Sequence, residues 1–213
     1  SLSKITHNVK IELQSLNSII GSEISYEQFL PGGLYWTPKT DELKLSLYSY
    51  YDKELKNFDL LSSFRMGYLS IDPRQEDLIL SNLAPQQIKD RNFKYISSSI
   101  GLSKIISNFE VNSWIMSTMR APRVEELYSD GPHLGTYSYE IGKPDLKLEK
   151  IYGIESSIKW GSTENNYSPF NFSLTTFYNY SPYYYQMSRV GDCEEEFIKG
   201  ESHPCAGVDF IEW

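Results

Sequence analysis

The sequence predicts an all-β chain and, within that class, an antiparallel transmembrane β-barrel. Three observations predict it. Apolar and polar residues alternate with period two in segment after segment, as expected of strands with two unlike faces. The aromatic share is high, at 15% with 17 Tyr, 10 Phe and 4 Trp, which suits strands and the interfacial girdles of membrane barrels. The connections between alternating segments are short and long by turns. Antiparallel neighbours joined that way gather the short turns at one end and the long loops at the other, as periplasmic turns and extracellular loops are gathered in an outer-membrane barrel.

Taken in order, Val9, Ile11 and Leu13 alternate with Lys10 and Glu12, and Leu43, Leu45 and Leu47 with Lys44 and Ser46. Phe58, Leu60, Phe64, Met66 and Tyr68 share a parity that excludes Arg65. Residues 93–102 are serine-rich and alternate less cleanly. Phe109, Val111 and Ile115 oppose Glu110 and Asn112; Tyr152, Ile154, Ile158 and Trp160 oppose Glu155 and Lys159. Phe170, Phe172, Leu174 and Tyr178 oppose Asn171, Ser173, Thr175 and Asn179. The pattern makes about seven strands and no convincing amphipathic helix, and on the membrane reading the strands should run about 9–11 residues. Short connections fall at Asp52–Asn57, Ile106–Asn108 and Gly161–Ser168. Long ones fall at Ser18–Asp41, Asp72–Arg91, Arg120–Leu148 and from Ser181 onward.

A soluble β-sandwich would share the strands, but loops this long are uncommon in compact domains. The second face also favours a barrel, because its Ser, Thr and Asn with scattered charges suit a wet lumen. Tyr50, Tyr51, Trp160, Tyr178 and Tyr180 stand near strand ends, where girdles lie.

The net charge of −8, from 28 acidic and 20 basic residues, argues against a nucleic-acid partner. No apolar run reaches the roughly 20 residues of a membrane-spanning helix, and no stretch reads as a signal peptide. No Ser-His-Asp order, paired-carboxylate spacing or Gly-rich phosphate loop stands out, so neither enzyme activity nor a resident cofactor is expected.

Residues 120–150, RAPRVEELYSDGPHLGTYSYEIGKPDLKLEK, carry a longer pattern. Arg120, Ala121, Pro122, Glu125, Glu126, Leu127 and Tyr128 are followed by Gly131, Pro132 and His133, then by Glu140, Gly142, Pro144, Leu146, Lys147 and Glu149. The segment closely resembles the stretch of TonB-dependent outer-membrane receptors written R-A-P-x-x-E-E-L-Y, G-P-H and E-x-G-N-P-x-L-K-x-E. Lys143 replaces the usual asparagine, and Leu148 a frequent proline. Locally, Pro122 ends strand pairing for want of an N–H. Val124–Tyr128 fits one helical turn with Glu125 and Glu126 in its first half. Gly131-Pro132 and Gly142-Lys143-Pro144 punctuate two turns, and Lys147–Glu149 restarts a strand.

The resemblance implies a barrel of about 22 strands filled by a plug domain. Residues 1–213 would supply only part of that barrel domain, with the plug and remaining strands absent, Ile211 and Trp213 beginning a further strand. It further implies the outer membrane of a Gram-negative-type bacterium, contact with outer-membrane lipid, and coupling to TonB through the plug. The ligand would be a scarce nutrient: a metal ion such as zinc, or a metal chelate such as a ferric siderophore or haem. The alternative from another class is a surface adhesin or host-protein-binding barrel using its long loops.

Several side chains are candidates for sites. Cys193 and Cys205 lie in the last long loop and can close a disulfide in an oxidising compartment, worth about 3 kcal/mol in the chain-entropy model. The competing metal reading draws on His203 and Glu194, Glu195 and Glu196. With one histidine and no C-x-x-C, the disulfide is favoured. His133 stands at the histidine of the G-P-H motif, which resembles that of some zinc importers; Glu125, Glu126 and Asp130 are nearby carboxylates that suit a metal. His7 reads as structural. Arg120 and Arg123 at the rim would attract an anionic chelate, although Arg120 equally closes the lumen against a facing carboxylate. Tyr184 and Tyr185, in the run Tyr180–Met187, would stack on a ligand or, the favoured reading, serve the outer girdle.

Overall fold

The computed structural model describes residues 2–13, 17–30, 37–74, 83, 85–133, 138–161, 170–192 and 209–212. In chain order its elements are β1 (Leu2–Leu13), β2 (Ser18–Phe29), β3 (Thr40–Leu55), β4 (Phe58–Pro73), β5 (Arg91–Ile106), β6 (Phe109–Arg120), α1 (Val124–Tyr128), β7 (Asp130–His133), β8 (Ser138–Ile141), β9 (Glu149–Trp160), β10 (Phe172–Tyr183), β11 (Ser188–Asp192) and β12 (Asp209–Glu212). Eight of the strands form an antiparallel meander in the order β1-β2-β3-β4-β5-β6-β9-β10. The other four form a small sheet from the long connections, in the order β11-β12-β8-β7.

The meander has one strand more than the sequence predicts. β2 occupies residues assigned above to the long loop Ser18–Asp41. Its alternation is hidden by the Ile19-Ile20 doublet and by Ser22 and Gln28, which share the parity of Ile20, Ile24 and Tyr26. With β2 in place, β1 and β2 join through residues 14–17, where Asn17 takes φ 47°, and the long loop shrinks to residues 30–39. The short–long alternation survives, now beginning one strand earlier. Three further expectations are corrected. β3, β4 and β5 each run 16 residues, so they project beyond a membrane that about 9–11 tilted residues would cross. Gly131-Pro132 lies within β7 rather than in a turn, because the segment folds back on β8. Residues 209–212 form a strand of the small sheet, parallel to β8, rather than one of the meander.

Register places one parity of every long strand on a common apolar face. Leu45 sits opposite Ile24 and Tyr68, Ile100 opposite Ile115, and Ile115 opposite Ile154. These side chains stay exposed, Ile115 at 60% and Ile154 at 54%, which is costly in water and natural against lipid. At the short-turn end Phe109, Trp160 and Phe172 lie side by side in one row. Eight residues along β9 and β10, Tyr152 faces Tyr180 in a second row. With a strand tilt near 40°, that separation is about 20 Å of height, close to the apolar band of a membrane barrel. Tyr51 shares this outward parity, whereas Tyr50 belongs to the opposite face and to no girdle. His7, on the outward parity of β1 opposite Ile24, is exposed rather than packed.

The inward face carries the polar parity and a packing device. Tyr95 lies flat over Gly67, its cross-strand partner, so that a Cβ on Gly67 would sit 2.2 Å from the Tyr95 ring. Tyr48 covers Gly21, and Trp114 covers Gly101, in the same way. Rings laid along the wall leave the lumen open and shield backbone that glycine would otherwise expose.

Candidate functional site

The buried core of the chain is at the long-loop end, not between the strands. Ile71 of β4, Phe93 of β5, Val124, Leu127 and Tyr128 of α1, and Leu83, Ile88, Leu146 and Tyr185 from the connections form one cluster. α1 is short, and tertiary contacts hold it. Its N-terminus is capped by Glu126, which accepts from the Arg123 N–H at 2.8 Å. Its far end is closed by the Gly142 N–H to the Ser129 carbonyl at 2.7 Å and the Lys143 N–H to the Glu126 carbonyl at 2.9 Å. A Cβ on Gly142 would meet Leu127 and Tyr128 backbone at 2.5 Å, so only glycine allows the segment after β8 to lie against α1. The Tyr128 hydroxyl donates to the Lys89 carbonyl at 2.6 Å. Arg91 donates to the Leu146 carbonyl at 2.7 Å. Asp130 accepts from the Leu83 N–H at 2.9 Å and from the Tyr139 hydroxyl at 3.0 Å. The loops are thus tied to one another and to the strand ends.

Arg120 is the hub. Its Nη1 contacts both oxygens of Glu126 at 2.9 Å, and its Nε reaches Glu149 Oε2 at 2.6 Å. The Tyr185 ring caps the guanidinium at 4.6 Å, and the Tyr185 N–H reaches Glu149 Oε1 at 3.5 Å. The Tyr185 hydroxyl donates to the Lys147 carbonyl. Glu126 and Glu149 are buried, and two carboxylates facing one bidentate cation satisfy the condition for keeping charge out of water. Burial pushes the Tyr185 phenol up to about 12 and raises the Tyr128 phenol as well.

Below this knot, on the inward face, lies a pocket of about 490 Å³ lined by Glu42, Lys44, Arg65, Tyr95, Arg120 and Arg123, among others. Its cations differ in how they are balanced. Arg120 is matched by two carboxylates. Arg65 is held by Ser46 at 2.9 Å and Glu23 at 3.4 Å. Among the described residues, Lys44 feels Glu42 through space but makes no ion pair, and the exposed Arg123 has no carboxylate partner. Lys44 and Arg123 are therefore the two cations this pocket offers to something else.

Arg120, Arg123, Glu126 and Tyr185 are indeed brought together. They divide into a knot (Arg120, Glu126, Tyr185) and a free cation (Arg123). Tyr184 is exposed, whereas Tyr185 is buried against Arg120 and serves no girdle. Glu125 is half-buried, its carbonyl accepting from Ser129. His133 lies in β7 opposite Ser138 by its backbone; its side chain, like Glu194, Glu195, Glu196, Cys193, His203 and Cys205, lies outside the described residues. Among the described residues no three His, Cys, Asp or Glu side chains gather closely enough to hold a metal. Lys44, Arg65 and Tyr95 were not singled out from sequence. Their strand parity put them on the polar face, but only register puts them at the height of Arg123.

An apolar outward wall, a polar inner face and an ordered rim of long loops define a membrane β-barrel chain. The TonB-dependent receptor-like β-barrel family matches residues 14–182, and the chain belongs to that family. Among curated proteins none matches. Of solved structures, the chain is similar to the Serratia marcescens hemophore receptor HasR, determined with its hemophore HasA and heme. The identity is 13% and the TM-score 0.62, over 99% of this chain and 36% of that one. It is also similar to the siderophore receptor PirA of Pseudomonas aeruginosa, at 13% identity and TM-score 0.52, over 100% of this chain and 44% of that one. The chain thus spans less than half the length of either receptor chain, and at this identity the likeness establishes the fold.

Proposed function

We propose that residues 1–213 are part of the barrel domain of an outer-membrane TonB-dependent receptor whose ligand is an anionic metal chelate, a ferric siderophore or haem. The plug domain through which TonB would act, and the remaining strands, lie outside this sequence. The carrying observation is the inward pocket under the rim, where Lys44 and Arg123 are cations without an ion-pair partner among the described residues and Tyr95 offers a ring beside them. A carboxylate- or catecholate-bearing chelate complements such a site, since charge-assisted hydrogen bonds to an anion are the stronger kind. The heme and siderophore ligands of the two similar receptors are of this chemistry. Function here is binding followed by conformational passage, with no covalent step.

The test is calorimetric titration of the full-length receptor in detergent with ferric chelates, haem and zinc. The reading requires saturable chelate or haem binding that weakens by about tenfold or more in the Lys44→Gln/Arg123→Gln double variant. Unchanged chelate affinity in that variant overturns it. Zinc binding that is lost in His133→Ala would make the receptor a metal-ion importer instead. A second reading, capture of a carrier or host protein, is favoured by exposed Tyr184, Met187 and Val190 along the segment that leads through β11. It predicts that a carrier protein binds more tightly than the chelate alone.

A further inference from the structure

The outward face of β2–β5 is not uniform. Two consecutive register rows, Ile24–Leu45–Tyr68–Lys94 and Ser22–Leu47–Met66–Ile96, cross these strands and enclose a groove of about 670 Å³. Ile24, Leu45, Leu47, Met66 and Ile96 make most of its wall, Ser22 being the polar member of the two rows, and Tyr68 and Lys94 stand at its long-loop end. Lys94 and Lys104 both stand on the outward parity of β5, ten residues apart. That spacing is about 25 Å of height at a tilt near 40°. Lys94 lies on the loop side of the row Tyr152–Ser117–Ser98 and Lys104 two residues inside the row Phe109–Ile106, each side chain within reach of a membrane interface. Of the two, Lys94 lines the groove.

The acceptors near the Lys94 end are already engaged. Asp41 takes hydrogen bonds from Tyr26 at 3.0 Å, Gln28 at 2.9 Å and Arg74 at 2.9 Å. Asn92 takes the Tyr68 hydroxyl at 2.6 Å, which also fixes the ring. Among the described residues no carboxylate pairs with Lys94. An unpaired ammonium at interface height above an apolar groove on a lipid-facing wall is complementary to a molecule with a phosphate at one end and acyl chains at the other.

We infer that this groove binds one acylated phosphate lipid of the leaflet on the long-loop side, its chains between Ile24, Leu45, Met66 and Ile96 and its phosphate on Lys94. Burial of chain methylenes supplies the hold, and Lys94 supplies the choice of headgroup. The inference does not depend on which nutrient the receptor takes.

The test uses the full-length receptor, delipidated in detergent and titrated with phosphatidic acid, with diacylglycerol of the same chains and with inorganic phosphate, retained lipid being counted by native mass spectrometry. One phosphatidic acid per receptor should survive. Retention should drop about tenfold in Lys94→Gln, return in Lys94→Arg, and stay within about twofold in Lys104→Gln. Met66→Trp, which fills the groove and leaves Lys94 in place, should also abolish retention. Equal retention of diacylglycerol, competition by inorganic phosphate alone, or an equal loss in Lys104→Gln would each overturn the assignment.

Discussion

The rim and the wall of this molecule are held together by different means. At the rim, Leu127, Tyr128, Ile71 and Ile88 are wholly buried against one another, and a cation sits between two buried carboxylates, as in a water-soluble protein. Along the wall, Ile5, Ile24, Ile100 and Ile154 stay half-exposed or more, and stability comes from the backbone ladder and from lipid as the outer solvent. Damage should therefore stay local. A rim substitution loosens the loops and leaves the wall standing; a wall substitution acts through the membrane and leaves the rim packed.

Arg120→Met should have the largest effect, costing about 3–5 kcal/mol locally because Glu126 and Glu149 are left buried and unpaired. Hydrogen exchange should show residues 121–130 and 138–148 deprotected while β3–β5 stay protected; uniform deprotection would erase the distinction. Next is Ile100→Lys, about 2–4 kcal/mol on the lipid face near mid-height, against almost nothing for Ser99→Lys on the inward face. Reversible unfolding from liposomes reads the difference, and equal costs would mean the two faces are wrongly assigned.

Gly142→Ala should cost about 2–3 kcal/mol because its Cβ meets backbone that cannot give way, whereas Gly67→Ala should cost about 1 kcal/mol because the Tyr95 ring can swing aside. A thermal-unfolding series ranks the pair, and the reverse order would contradict the packing. The smallest effect is alkaline. The Tyr185 and Tyr128 phenols are raised in the folded state, so their contribution is complete below the ordinary tyrosine value near 10. It declines as pH rises through the folded values, about 12 for Tyr185. Rim protection should fall between roughly pH 10 and 12 with β5 unchanged, and a rim indifferent to that range would show that these phenols ionise freely.

Parity made most of the wall legible. Leu43–Leu47 and Tyr152–Trp160 alternate because each residue faces either lipid or lumen, and that choice is written one residue at a time. β2 escaped because Ser22 and Gln28 are polar on its outward face, and an outward serine beside large neighbours such as Leu47 costs little. The rim was legible by motif: Arg120, Glu126 and Glu149 form a knot of the kind that a facing carboxylate on Arg120 implies. The exclusion of Tyr185 from the girdle was not legible, because four tyrosines in a short run look alike until one of them meets Arg120.

The amino-acid order alone determined the all-β class, the two faces of most of the long strands, the alternation of short turns and long loops and the helical turn at Val124–Tyr128. Each of these is set by neighbours along the chain. Tertiary structure alone decided which residues share a height: that Lys44 and Arg123 meet in one pocket, that Tyr95 covers Gly67, that Lys94 closes a groove shared by four strands. Register joins residues tens of positions apart, and period-two alternation is the same for every register that differs by two.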